Sequence, residues 1–238
     1  MSDSVRLGLA DNPPQMLLLP PSAGAIMQAE QGGRLPMGGP HTRAAARAMA
    51  AMHVNGGMGV VCAAPTGGAA GAIPGVICTL VEEKKVDREA AALLLLAAGI
   101  IGVIVYRRAT FAAEVAGCQV EIGAAGAMAT AAVVEWGGGT ARQAADAAAV
   151  AFQNTMGSVC DLVQGAVEIP CHTRNAAAAS NAFLCADLVM GGYDNPVPLD
   201  ETIDAVYSVG KMLPSELRCT ALGGIAATPS AMSIKPRR

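Results

Sequence analysis

The chain has 238 residues and a formal net charge of −3, and 53% of its residues are hydrophobic, whereas 15% are charged and 3% are aromatic. Intrinsically disordered chains are polar and highly charged, so this composition excludes that class. The small charge gives no reason to expect binding to nucleic acid or to an anionic membrane. The length suits one or two domains, and the abundant alanine and glycine predict closely packed helices.

The first 40 residues are rich in proline and glycine, as in P-P-Q-M-L-L-L-P-P and Q-G-G-R-L-P-M-G-G-P. These residues interrupt regular structure, so we predict an irregular N-terminal arm over residues 1–40 that packs on the body or on a partner. No basic segment followed by an apolar one is seen at the start, as a secretory signal would require. We therefore expect a cytoplasmic protein whose seven cysteines stay reduced or bind metal.

The rest of the chain, residues 41–238, is predicted to be one helical domain. A helical pattern starts at Thr42 and ends in G-G-M-G. The next stretch, V-V-C-A-A-P-T-G-G-A-A-G-A-I-P-G-V-I, has the prolines and glycines of a buried turn where the backbone lies close to another group. Residues 91–106 form the most apolar run; its 16 residues fall short of the ~20 of a membrane span, so we predict a central buried helix.

Further helices are predicted over residues 119–136, after an N-cap at Thr140, over about 175–190, and in L-D-E-T-I-D-A-V-Y-S-V-G. No alternation typical of β-strands persists anywhere. The predicted fold class is therefore all-α, a compact Ala/Gly-rich helical domain.

The cysteines fall into two groups by their neighbours. Three lie among apolar residues, as expected of core thiols: Cys62, Cys78 and Cys185. Three others lie at or just beyond predicted helix ends, where free backbone N–H groups favour a thiolate: Cys118, Cys160 and Cys171. Polar side chains accompany this second group: Gln119, Glu121, Asp161, His172, Arg174 and Asn175. This grouping suggests a site.

The spacing of the second group, C-x41-C-x10-C, does not match a zinc pattern or a ferredoxin run. From spacing alone, metal binding and ordinary burial remain about equally open. Three thiolates without a fourth partner would suit a [4Fe–4S] cluster with one open iron, free to act as a Lewis acid.

Four segments carry a specific resemblance: V-N-G-G-M-G-V-V-C-A-A-P-T-G-G-A-A-G-A-I-P-G-V, A-G-C-Q-V-E-I-G, G-S-V-C-D-L-V-Q-G-A-V-E-I-P-C-H-T-R-N and T-A-L-G-G-I-A-A-T-P-S. In their order and spacing they resemble the α-chain, or α-domain, of the iron–sulfur L-serine dehydratases, over roughly residues 40–231. The resemblance implies a helical domain with a [4Fe–4S] cluster on Cys118, Cys160 and Cys171. It also implies removal of water from L-serine without pyridoxal phosphate, giving pyruvate and ammonia. The open iron would bind the carboxylate and β-hydroxyl, and a protein base would take the α-proton.

Several residues beside these motifs are candidates for binding the substrate. The P-T-G-G turn, with Thr66, Gly67 and Gly68, offers a hydroxyl and free N–H groups to a carboxylate, although tight helix packing is an equal alternative. Arg174 and Asn175 follow an implied ligand directly and are expected to contact substrate or cluster. A substrate-binding role and a helix C-cap role compete for one further residue, Asn55.

The general base is not identified by these motifs. Asp161 is one candidate, with an N-cap role as the alternative, and His172 is the other. His53 ranks lower. Cys219, in L-R-C-T-A-L-G-G, would either approach the open iron as a reversible cap or be simply buried.

Departures from the family pattern keep two further functions open. Leu162 replaces a usual proline in C-D-P-V, His53 replaces an acidic residue, and A-T-F-A-A-E-V-A-G-C replaces a segment containing S-I-S-G-A. The chain could then be a related lyase acting on another β-substituted amino acid or hydroxy acid, or a non-catalytic subunit with a structural or sensing cluster. The serine-rich S-S-S-H-T loop of the family's β-domain is missing, so we predict a separate β-type subunit, or a homodimer that completes the site.

Overall fold

The computed structural model describes residues 1–237. Eleven α-helices are present in this part of the chain: α1 Ser2–Leu9, α2 Ala23–Gln31, α3 Pro40–Gly56, α4 Ala72–Glu83, α5 Arg88–Arg108, α6 Ala113–Ala116, α7 Ile122–Trp136, α8 Ala141–Thr155, α9 Cys171–Met190, α10 Leu199–Met212 and α11 Pro229–Ser233. Two short strands, β1 Cys160–Asp161 and β2 Arg218–Thr220, pair in parallel. The prediction of a mainly helical fold is confirmed.

Helix α7 lies at the centre of the molecule. Every residue from Ile122 to Val134 is buried, and α4, α5, α8 and α9 all pack against this helix. Its alanines and glycines allow the close approach: a Cβ on Gly126 would lie 3.4 Å from the Cβ of Ala178 on α9. Small side chains thus build a core from closely spaced helices.

Helix α5 does not occupy the central position that its apolar sequence predicts. One face packs on α7, and only 28% of its most apolar 18-residue window is buried. In the described residues 1–237 it is the one helix long and apolar enough to cross a membrane, by length and composition only. The prediction of a central buried helix is wrong, because hydropathy does not reveal whether one face or both faces of an apolar helix are covered.

The first 40 residues are only partly irregular. They contain α1 and α2, which both pack on α3. The contact of α1 with α3 is so close that a Cβ on Gly8 would lie 1.9 Å from the carbonyl oxygen of Ala50. The expectation that proline and glycine leave this segment without helices is therefore wrong in part, because α1 precedes the first proline cluster and α2 lies between the later clusters. The domain boundary at residue 40 stays a prediction.

Local signals located several helix ends well. Thr140 caps α8, since its hydroxyl accepts a hydrogen bond from the backbone N–H of Gln143, and the side-chain oxygen of Gln143 accepts one from the backbone N–H of Thr140. Helix α9 begins at Cys171, four residues before its predicted start near Asn175. This difference places an implied cluster ligand in the first turn of a helix, where N–H groups are free.

Candidate metal centre

Three elements bring the implied ligands together. Cys118 begins a one-turn 3₁₀ helix before α7, Cys160 lies on β1, and Cys171 is the first residue of α9. All three are at most 2% exposed and belong to one buried cluster of side chains. The sulfurs of Cys118 and Cys160 and a carboxylate oxygen of Glu121 lie within 4.8 Å of one another. Residues from distant parts of the sequence thus form one group of sulfur and oxygen donors.

The thiols influence one another's protonation. A hydrogen bond with Cys160, aided by the charge of Arg174, lowers the pKa of Cys118 against the opposing effect of burial. The same hydrogen bond, followed by burial, raises the pKa of Cys160. Burial and then the charge of Cys118 raise the pKa of Cys171. Of the three thiols, Cys118 is therefore the most easily deprotonated.

Arg174 lies against the sulfur of Cys118. Its Nη1 is 3.7 Å from the sulfur of Cys118, donates a 2.7 Å hydrogen bond to the carbonyl of Val159, and lies 2.9 Å from Oδ1 of Asp161. The contact with Asp161 is an ion pair and not a hydrogen bond, because its angle is unfavourable. Arg174, predicted to contact substrate or cluster, thus lies beside an implied cluster ligand.

Asp161 has a structural role in this arrangement. It lies on β1 and is not an N-cap residue; its Oδ2 accepts a 2.8 Å hydrogen bond from the backbone N–H of Ile225, in the first turn of a short 3₁₀ helix, Gly224–Ala227. Gly224 has a φ of +60°, and a Cβ there would lie 2.3 Å from Oδ2. Only glycine satisfies both conditions at this position. Asp161 therefore joins Arg174 to the C-terminal L-G-G-I segment, and its oxygens are already engaged.

The P-T-G-G turn faces Glu121. The hydroxyl of Thr66 donates a 2.6 Å hydrogen bond to Oε1 of Glu121, and a Cβ on Gly68 would lie 2.6 Å from the same oxygen. Burial raises the pKa of Glu121, and the hydrogen bond from Thr66 offsets this only in part. Sequence reasoning noted Glu121 as a polar neighbour of Cys118 but did not identify it as a site residue. The available signal was its position in G-C-Q-V-E-I-G.

Two asparagines hold this turn in place. Asn175 accepts hydrogen bonds from the N–H groups of Gly71 and Ala72, and donates to the carbonyls of Gly68 and Cys171, both at 2.9 Å. Asn55 donates to the carbonyl of Gly67. Asn175 is fully buried and all its hydrogen-bonding groups are engaged, so its contribution to a binding site is made through the turn. The first half of the turn is more exposed than predicted, since only residues from Ala69 onward are buried.

The side chain of His172 packs against His53 and Gly56. Its ring is fully buried, with its centroid 5.3 Å from that of His53, and a Cβ on Gly56 would lie 3.4 Å from its Nε2. Burial, and then the proximity of His53, lowers the pKa of His172 to about 3. An imidazole with so low a pKa is a weak base.

The other four cysteines differ in burial, and one of them differs from its prediction. Cys219 lies on β2 with a φ of +62° and packs on the buried cluster that contains Cys160. Cys78 and Cys185 are buried, as predicted. Cys62 is exposed, so its predicted place in the core is wrong. Its apolar sequence neighbours belong to a loop between α3 and α4 that packs only in part.

A cavity of about 330 Å³ opens beside Cys118. Its lining includes Arg174 and a set of small polar side chains: Asn154, Thr155, Ser158 and Asn181. Asn154 and Asn181 also hydrogen-bond with each other at 3.3 Å. The cavity therefore suits a small polar molecule next to a cysteine sulfur and a guanidinium.

The chain is similar in sequence to known proteins. The profile of the family described as serine dehydratase alpha chain matches residues 1–226. A probable L-serine dehydratase alpha chain of Bacillus subtilis is 43% identical over 194 residues, which cover 82% of this chain and 65% of the relative. The corresponding protein of Latilactobacillus sakei is 44% identical over 188 residues, 79% of this chain and 90% of that one. The L-serine dehydratase alpha chain of Peptoniphilus asaccharolyticus is 40% identical over 193 residues, which cover 81% of this chain and 66% of the relative. The chain thus spans just under two thirds of the Bacillus and Peptoniphilus relatives.

Proposed function

Because this chain belongs to the serine dehydratase alpha-chain family, we propose that it is a [4Fe–4S]-dependent lyase that removes water from L-serine and yields pyruvate and ammonia. The observation that carries the proposal is that Cys118, Cys160 and Cys171 lie in one buried cluster of side chains, of which Cys118 also lines the cavity. The substrate is taken from the names of the relatives.

The donor set suits an iron–sulfur cluster. Cys118, Cys160 and Cys171 lie in one buried side-chain cluster. As thiolates they would repel one another unless a cationic group lay among them, and cysteine thiolates are the ligands that iron–sulfur clusters use. Cys118, Cys160 and Cys171 would hold the cluster. With one iron free of protein ligands, the bound cluster supplies a Lewis acid for the substrate's carboxylate and β-hydroxyl.

The chain's own residues would bind and orient the substrate. Arg174 offers its guanidinium to the carboxylate in the cavity. The amides of Asn154 and Asn181 offer donors and acceptors to the amino and hydroxyl groups. The turn at Thr66, Gly67 and Gly68, held by Asn55 and Asn175, sets the position of Glu121.

Glu121 is the group we propose to accept the α-proton. It lies within 4.8 Å of two implied ligands, and its raised pKa makes it a better base at neutral pH than an ordinary carboxylate. Asp161 is engaged by Ile225 and Arg174, and His172 packs against His53, so the geometry favours Glu121 over both earlier candidates.

A second chain is part of the proposal. Relatives carry the name alpha chain, which implies a partner chain. We propose that a β-type subunit, a second copy of the chain, or both complete the enzyme. A cytoplasmic location goes with this proposal, since reduced thiols are required.

The test is anaerobic reconstitution with iron and sulfide. We expect broad absorbance near 400 nm, about four irons per chain, and formation of pyruvate from L-serine. Cys118→Ser, Cys160→Ser and Cys171→Ser should each lose cluster absorbance, whereas Cys62→Ser, at an exposed thiol, should keep it.

Each alternative outcome has a distinct meaning. A colourless protein whose four variants behave alike would contradict the cluster. Turnover of another β-substituted amino acid or hydroxy acid in place of serine would change the substrate but not the cluster. Full activity of a monomeric chain alone would remove the need for a second chain.

A further inference from the structure

The two faces of α5 are both apolar, and only one is covered. Leu94, Ala98, Ile101 and Val105 are buried on the side that packs on α7. A second row is exposed: Leu93 by 54%, Leu96 by 62%, Ile100 by 61% and Val103 by 53%. Steps of three and four residues place this second row in one continuous line along the helix. A contiguous apolar surface of this kind marks an interaction site.

Charged residues continue the same line at both ends. Glu89 precedes Leu93 by four residues, and Arg107 follows Val103 by four. Both are exposed, and within residues 1–237 neither forms a salt bridge. The neighbouring Arg108, in contrast, pairs with Asp200 and Asp204. The exposed row of α5 therefore ends in an unpaired acid on one side and an unpaired base on the other.

The row is symmetric about its middle. Leu96 and Ile100 are equally far from residue 98, as are Leu93 and Val103, and Glu89 and Arg107. If a second α5 lies antiparallel across the first, Glu89 faces Arg107, Leu93 faces Val103, and Leu96 faces Ile100. A surface that is complementary to itself after a half-turn is what a two-fold dimer requires.

The middle of the row also allows a close approach. Gly99 lies next to the symmetry point, and a Cβ there would have nothing within 4 Å. Small residues at a helix crossing let two backbones come together. We propose that the exposed face of α5 docks a second copy of this chain, antiparallel, about a two-fold axis near Gly99.

The first test measures the mass of the full chain in solution by sedimentation equilibrium, at concentrations up to about 100 µM. The wild type should be a dimer. Leu96→Glu should weaken the dimer at least tenfold, because each buried carboxylate would face Ile100 of the other copy without a partner. Leu7→Glu, at a comparably exposed leucine of α1 (46%), should leave the dimer unchanged. Circular dichroism checks that both variants are folded.

The second test uses charge exchange to establish the antiparallel direction. Glu89→Arg alone and Arg107→Glu alone should each weaken the dimer about tenfold at low salt, because like charges then meet at both ends. The double variant should recover wild-type affinity.

Three results would overturn the proposal. They are a monomeric wild type at the highest concentration, a dimer that Leu96→Glu leaves intact, and a double variant no stronger than either single one. A monomer that floats with phosphatidylcholine vesicles would assign the face to a membrane instead.

Discussion

Glu121 depends on small neighbours in the P-T-G-G turn. An added methyl group at Gly68 would lie 2.6 Å from its Oε1, whereas one at the adjacent Gly67 would meet nothing within 4 Å. We expect Gly68→Ala to displace Glu121 from Thr66 and to lower serine turnover by about 10- to 100-fold, the usual cost of misplacing a catalytic group by ~1 Å. Steady-state pyruvate formation by the reconstituted protein measures this effect.

The matched control for this prediction is Gly67→Ala, which should keep activity within about twofold, since surface changes without contacts have small effects. Thermal unfolding separates a local displacement from a loss of fold. Equal activity of the two variants would show that the position of Glu121 is unimportant for turnover.

Among the elements, α2, α3 and α4 are joined by an ion-pair network. Glu83 on α4 accepts hydrogen bonds of 2.6–2.8 Å from Arg43 and Arg47 on α3, and Arg43 also binds Glu30 on α2. Burial tends to raise the pKa of Glu83, but the hydrogen bonds from the two arginines outweigh it and leave the pKa below the ordinary 4.5. A carboxyl group whose pKa is lower in the folded state stabilises the fold above that value of 4.5.

The lowered pKa of Glu83 predicts how stability depends on pH. Glu83→Gln should lower the free energy of unfolding by about 2 kcal/mol at pH 7, because two arginines lose their charged partner. The difference from wild type should shrink as the pH falls below ~4.5 through the folded-state pKa, since wild-type Glu83 then becomes protonated. Urea unfolding at a series of pH values measures both quantities.

Glu82→Gln provides the comparison. Its side chain is 56% exposed and pairs with Arg47 alone, so the loss should stay below about 1 kcal/mol. If the two variants lost the same stability at pH 7, the buried network would not be the reason for the effect.

In the whole molecule, one buried carboxylate holds the segment between α1 and α2, and the C-terminal segment binds that same segment. Glu168, 2% exposed, accepts hydrogen bonds of 2.7–2.9 Å from the N–H groups of Leu17, Leu18 and Leu19. The N–H of Arg237 in turn donates a 2.7 Å hydrogen bond to the carbonyl of Leu17. Glu168 lies three residues before Cys171, so the terminal segments are fastened close to the proposed cluster.

Glu168→Gln should weaken the hydrogen bonds that hold residues 17–19. The neutral amide cannot accept all three hydrogen bonds, and we expect a loss of about 2 kcal/mol of local stability. Hydrogen exchange should then accelerate at residues 17–19 but not in α7. Glu135→Gln, at an exposed carboxylate of α7, should leave both regions unchanged; equal exchange in all three proteins would contradict the role of Glu168.

The sequence by itself determined the features that depend on residues close together in the chain. Helix periodicity, the cap at Thr140 and the mainly helical class follow from interactions within a few residues. Motif order led to the prediction of Cys118, Cys160 and Cys171 as ligands, and the fold places these three in one buried cluster. The hydrogen bond from Thr66 to Glu121, the place of Cys219 beside Cys160 and the pairing of β1 with β2 join residues 55 or more positions apart, and β1 and β2 are too short to show alternation.

The tertiary structure alone decided which apolar faces are covered. The run at residues 91–106 predicts a central helix, yet α7 takes that place because its smaller side chains admit four helices around it. Cys62 and the outer face of α5 are exposed for the same reason. A hydrophobic residue is stabilised by burial, but it is buried only where another part of the chain packs against it.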